Sequence, residues 1–409
     1  MLDPGRTVAE LRELQERTGN ENGAQRVAWT ETWQQAREWL SGKLAGTGAA
    51  ETIDAAGNQW FTLAGDTERA LLIGGHLDSV PNGGWLDGAL NVMAGAEVLR
   101  RIAEEGTPPV TTRLVNWADE EGARFGRSLF GSSAAAGSMS DQDELRRRKD
   151  AEGVSLPDAI GRFNVDLDTA LEARGELENA AAYLELHIEQ GPVLESMDLP
   201  LGVVLGTFGV ERHQVNFRGQ AAHAGSTPMD QRRDALAGAA RLELELKEIA
   251  ARIGGGAVCT MGGVVTKPGI VTSVVETAEC LPDQRHLDEV QLAEMLDNAK
   301  AASRRFAQEE DLEVEWERIW NIEPILFDDG LIELAEKAIS ETAGSSHRLP
   351  SGPLHDAAEV ARAGVPTVMI FVQSLRGLSH TKLEDTKEEH LELAVQALDR
   401  LAQKTAETL

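Results

Sequence analysis

The chain has 409 residues, 42% hydrophobic and 26% charged, ordinary values for a folded protein with a large core and room for two domains. Its 39 basic residues face 68 acidic ones, and a formal charge of −29 excludes nucleic acid and anionic membranes as expected partners. Two cysteines, Cys259 and Cys280, with no CxxC pair, argue against both a disulfide framework and a thiolate zinc site.

The first residues, MLDPGRTVAELRELQERTG, carry no cationic start and no apolar h-region, and no run of eighteen apolar residues occurs anywhere. The expectation is a soluble, cytoplasmic protein. RALLIGGHL is a short apolar run suited to a buried strand, and VTTRLVNWA is another. Between them LNVMAGAEVLRRIAEEG has helical period and stops at Gly106. Strand, helix, strand in that order predicts a parallel α/β sheet, in which ligands gather beyond the C-terminal strand ends.

From Phe208 the pattern changes. FGVERHQVNFRG alternates with period two, and QRRDALAGAARLELELKEIAARIGGG reads as a long helix stopped by glycines. Two strand-like runs, AVCTMGGVV and IVTSVVETAEC, precede a helix near Leu287–Arg305 and the strand DLEVEWERIW. The order β, α, β, β, α, β is that of a split-βαβ, ferredoxin-like unit. It is expected as an insertion over 208–321 that divides the first domain into 1–207 and 322–409. The α/β texture returns with the helix LIELAEKAISETA, the strand VPTVMIFV and a last helix from about Lys387.

Polar groups with metal-binding chemistry fall at four of these strand ends. His76 and Asp78 lie two apart on an extended segment and point the same way. A histidine donating to a neighbouring carboxylate suits an ordinary structural pair and a metal-bound imidazole alike. Glycines in GGWLDG let the chain turn and bring Asp87 back towards the strand end. The second strand runs into Asp119, Glu120 and Glu121, where one acid can hold a divalent ion and the next can serve as base for a water. YLELHIEQGPVLE places His187 and Glu189 at a third strand end, and MIFVQSLRGLSHTKLEDT places His380 at a fourth. Imidazole and carboxylate donors without thiolate suit zinc, manganese, cobalt or nickel, and five such donors suit two ions sharing a carboxylate.

The segments GGHLDSVPNGGWLDG, WADEEGARFG, LHIEQGPVLE, RGQAAHAGSTPMDQRRDA, LHDA and LSH, in that order, resemble the di-metal amidohydrolases of the N-carbamoyl-L-amino acid hydrolase and allantoate amidohydrolase group. That group lies within the wider aminoacylase and carboxypeptidase-G-like peptidases. The resemblance spans about His76 to His380, and HIEQGPVLE with HAGSTPM separates the group from other members. It implies an α/β hydrolase domain with a mixed, mainly parallel sheet flanked by helices, plus an inserted ferredoxin-like α+β dimerisation or lid domain. It also implies that His76, Asp87, Glu121, His187 and His380 hold two divalent ions, with Asp87 as the bridge. Asp78 then steadies His76, and Glu120 is the base that activates water. Gln190 is a substrate contact by the same resemblance. His223 stabilises the oxyanion in a partner subunit's site, so a homodimer is implied, and Arg285 grips a substrate carboxylate.

Two positions depart from the group's pattern. Thr272 stands where an NVVP-like stretch has Asn, and Leu354 stands where a GAGHDA-like segment has Gly. Both belong to substrate recognition by resemblance. Arg376, just before GLSH, is either a compensating cation or a surface residue, and His355 and Asp356 sit at an expected helix start. The leading expectation is metal-dependent hydrolysis of an N-carbamoyl-L-amino acid, a small carboxylate-bearing substrate, to the amino acid, carbon dioxide and ammonia. Allantoate amidohydrolase, β-ureidopropionase or another N-acyl amino acid amidohydrolase are the rivals, and an inactive ligand-binding relative is the non-enzyme alternative.

Overall fold

The computed structural model describes residues 1–409 and divides into two compact units: Met1–Leu205 with Phe327–Leu409, and Gly206–Leu326. The discontinuous unit is built on a mixed sheet. Its centre is four parallel strands in the order Thr367–Val372, Ala180–Ile188, Ala70–His76 and Thr111–Trp117. Antiparallel strands flank them: Leu201–Thr207 on one side, and the hairpin Ala50–Ile53 with Gln59–Leu63 on the other.

Ala70–His76 and Thr367–Val372 are buried along their whole lengths, as strands covered on both faces must be. Helices Ala89–Glu105, Asp329–Ala343 and Glu388–Ala406 pack on the sheet and on one another, while Phe130–Ala136 packs against Asp356–Arg362. The sequence hides the flanking strands: Ala50–Ile53 is exposed throughout, and LGVVLGT carries two glycines that weaken its strand signal. No helix is long and apolar enough to cross a membrane.

The inserted unit runs β, α, β, β, α, β: Gly209–Arg218, Ala235–Ile253, Val258–Lys267, Thr277–His286, Glu289–Glu309 and Glu313–Ile322. Its four antiparallel strands have the spatial order second, third, first, fourth, and the two helices bury Val215, Phe217, Leu242, Leu246 and Met295 against them. Two details differ from the sequence expectation. The helix begins at Glu289 because the Asp288 side chain caps it by accepting the Gln291 N–H. Of the run IVTSVVETAEC, only Thr277 onward joins the sheet. Its first half instead pairs locally with the loop around His223, through Val274 N–H to Ala222 and Ala224 N–H to Thr272.

Candidate active site

Four loops at the C-terminal ends of the parallel strands converge on Asp87. Gly88 makes this possible, because its φ is +63° and a Cβ there would lie 2.3 Å from the His76 ring. Asp87 Oδ1 sits 3.2 Å from His187 Nε2 and 3.9 Å from His76 Nε2, while Oδ2 sits 3.3 Å from His380 Nε2. His380 Nε2 is in turn 3.5 Å from Glu121 Oε2.

Two three-residue donor groups result, His76–Asp87–His187 and Asp87–Glu121–His380, each with its ligand atoms within 4.8 Å of one another. One carboxylate thus faces both groups with a different oxygen. Glu121 Oε1 is buried without a hydrogen-bond partner, a cost that a cation would remove. Three imidazoles with the Asp87 and Glu121 carboxylates match the donor chemistry of two divalent ions, and Asp78 and Glu120 add negative charge beside them. The residues fit the group.

Asp78 is fully buried, with Oδ1 3.6 Å from His76 Nδ1. Its backbone carbonyl lies 3.1 Å from His76 Nδ1 and orients the ring, whereas its carboxylate accepts the Glu120 and Glu121 N–H groups at 3.2 and 3.1 Å. The Asp78 carboxylate therefore fixes the turn that presents both glutamates. Glu120 Oε2 lies 3.7 Å from His76 Nε2, inside the cluster.

Burial, then the Glu121 charge, pushes the Glu120 carboxyl well above the usual range. Burial, then Asp87, does the same to Glu121. Burial also lifts Asp78 to about 7 and drops His76 to about 4. At Asp87 burial opposes ionisation, yet hydrogen bonds from His187 and His380 hold the group well below the ordinary carboxylate value.

Gln190, in the left-handed region at φ 57°, donates from Nε2 to Asp87 Oδ2 at 3.0 Å. Glu189 does not join the cluster: its carboxylate caps the short helix Val193–Ser196 through Val193 and Leu194 N–H. Leu354 is half-buried and precedes His355, whose ring lies 4.3 Å from that of His187. Arg376 is exposed, its N–H on Glu195 and its guanidinium on the Leu383 carbonyl.

In the inserted unit His223 is exposed, its Nδ1 accepting from Gly225 N–H at 3.1 Å, and it pairs with Ser273 beside Thr272. Arg285 donates to both oxygens of Asp283.

Sequence reasoning missed several supports. Trp29 Nε1 donates to Asp119, which has φ 56°, at 2.7 Å. Glu185 Oε2 accepts from Tyr183 Oη at 2.8 Å and Ala357 N–H at 2.9 Å, tying the strand of His187 to the helix behind His355. Glu384 accepts from the Asp87 N–H at 3.0 Å. The one available signal was spacing: Glu185 shares a strand face with His187, two residues on.

The family model for peptidase family M20/M25/M40 matches residues 72–404. Among curated proteins, an N-carbamoyl-L-amino acid amidohydrolase from Geobacillus stearothermophilus is 37% identical over 377 residues, 90% of each chain. An allantoate amidohydrolase from Escherichia coli strain K12 is 31% identical, covering 89% of this chain and 88% of its own. Among solved structures, an amidase of the hydantoinase/carbamoylase family from Burkholderia multivorans superposes with a TM-score of 0.89 at 30% identity, covering 99% of this chain and 98% of its own.

Proposed function

The chain belongs to peptidase family M20/M25/M40 and is a hydrolase of amides, and from that premise we propose that it hydrolyses the ureido group of N-carbamoyl-L-amino acids. The chemistry is carried by one observation, the Asp87 carboxylate facing two donor groups with Glu120 beside them. The substrate choice follows the relative with 37% identity.

His76, Asp87 and His187 would hold one divalent ion, and Asp87, Glu121 and His380 the other. Such ions supply Lewis acidity and ease removal of a proton from water. Glu120, presented by the Asp78 turn, takes the proton of the attacking water and returns it to the departing nitrogen. Attack at the ureido carbon breaks its bond to one nitrogen, and the carbamic acid left behind loses carbon dioxide. Products are the amino acid, carbon dioxide and ammonia.

In this reading His223 stabilises the oxyanion in the partner of a homodimer. Arg285 pairs with the substrate carboxylate, a match suited to a planar guanidinium. Gln190, Thr272 and Leu354 shape recognition.

The test is ammonia release from a panel of N-carbamoyl-L- and D-amino acids, allantoate and 3-ureidopropionate. The highest kcat/KM is expected on an N-carbamoyl-L-amino acid, and preference for allantoate would replace the proposal. Chelation should abolish turnover, and zinc, manganese, cobalt or nickel should restore it. Glu120→Gln should lower kcat by roughly 10²–10⁴-fold with metal content unchanged, and a near-normal rate would remove Glu120 from its role.

A further inference from the structure

Glu384 lies four residues beyond His380 and is 2% exposed. Its Oε1 accepts the backbone N–H groups of Leu86 and Asp87, each at 3.0 Å. Its Oε2 lies 3.1 Å from Ser379 Oγ, which sits 3.0 Å from Asp87 Oδ2 and accepts from Gln190 Nε2 at 2.8 Å. One carboxylate therefore holds the main chain of Asp87 and, through Ser379, the loop that carries His380.

That loop needs holding. His380 has φ 56°, a conformation costly for a residue with a side chain, and its own side chain is half-exposed. Gly84 opens the space: a Cβ there would stand 2.0 Å from the Glu384 carboxyl carbon.

We propose that Glu384 is a positioning residue that locks the Asp87 loop to the His380 loop, and so assembles the Asp87–Glu121–His380 donor group in particular. The proposal rests on the two-ion reading above. The asymmetry follows from the contacts. Without Glu384, Asp87 keeps His187 on Oδ1 and Gln190 on Oδ2, and His76 and His187 stand on strands that Glu384 does not touch. His380 stands on a loop instead: besides its own 3.3 Å approach to Asp87 Oδ2 and the bond from Trp85 Nε1 to Asp385 at 3.2 Å, that loop reaches Asp87 through Ser379 and Glu384.

The experiment is zinc titration of chelated, dialysed full-length protein by calorimetry, with bound zinc counted by elemental analysis. The wild-type chain should take two ions. Glu384→Ala should bind the first with an affinity within about threefold of wild type and the second at least tenfold more weakly. Its kcat should fall, recover as zinc is raised, and move more than KM.

Gly84→Ala displaces the same carboxylate without altering it and should reproduce the split; it also serves if Glu384→Ala does not fold. General destabilisation would lower Tm without separating the two affinities. Two affinities that stay at wild-type values, or fall together, overturn the proposal. A wild-type chain that takes fewer than two ions overturns the two-ion reading instead, and the proposal with it.

Discussion

Asp78 shows how little of a residue's task its identity reveals. The spacing of His76 and Asp78 indicated a pair, and the Asp78 carbonyl and carboxylate lie 3.1 and 3.6 Å from His76 Nδ1, but the same carboxylate also accepts two N–H groups of the next strand end. Asp78→Ala is expected to reduce activity or metal affinity 10–100-fold by freeing both glutamates, measured as kcat/KM beside zinc content. Histidines were legible by strand position, whereas Glu384 was not, because its partners are backbone N–H groups 298 and 297 residues away.

His213, which carries no site chemistry, gives a pH prediction for the inserted unit. Burial, then Lys300 and Arg318, lowers it to about 4, while Glu211 lies 3.6 Å from its ring and Trp316 packs on it. The unfolded chain takes up this proton first as pH falls through the ordinary histidine value of about 6.5. Stability should therefore drop between about 6.5 and 4, by on the order of 1–2 kcal/mol. His213→Gln should flatten that slope in urea unfolding followed by tryptophan fluorescence, and an unchanged slope would assign it to other groups.

At the scale of elements, strands and helices with a clear hydrophobic period were readable, and the stop at Gly106 was legible, whereas the start at Glu289 set by the Asp288 cap was not. What escaped were pieces defined by partners rather than pattern: the exposed hairpin strand Ala50–Ile53 and the fastening of the first helix, Pro4–Thr18. Glu97, with a fully buried side chain, takes a two-pronged contact from Arg6 at 2.7 and 2.8 Å and a third bond from Arg100 at 3.2 Å. Arg100 also pairs with Glu10.

Glu97→Ala would remove both prongs on the partly exposed Arg6 and one bond of Arg100, which keeps Glu10, and should cost about 1–3 kcal/mol in chemical denaturation. A loss below about 1 kcal/mol would mean that water replaces the pairs.

At the scale of the whole molecule, the buried acids Asp78, Glu120, Glu121 and Glu384 all stand against the charge of Asp87 around the proposed ions. Loading zinc to 100–1,000 times its Kd should stabilise the discontinuous unit by roughly 3–4 kcal/mol, read as a rise in Tm. No rise would argue against ions bound in the folded state. For the proposed homodimer, His223→Ala mixed with Glu120→Gln should regain activity that neither variant has alone. Verified mixed dimers without recovery would place His223 outside the partner's site.

The insertion also sets an order of manufacture. Strand Thr367–Val372 pairs with Ala180–Ile188 on one side and Leu201–Thr207 on the other, yet roughly 120 residues of the second unit are synthesised between it and them. At ~5–20 residues per second a ribosome needs roughly 6–24 s for that stretch. During that time the apolar rim of Ala180–Ile188 waits unpaired, open to any other extended chain. The nascent protein carries His76, Asp87, Glu121 and His187 through that delay with an open sheet, and the strand that closes it arrives just before His380. Crowded, rapid expression should therefore yield aggregates seeded at that rim, which a co-produced chaperone that shields strand edges would relieve.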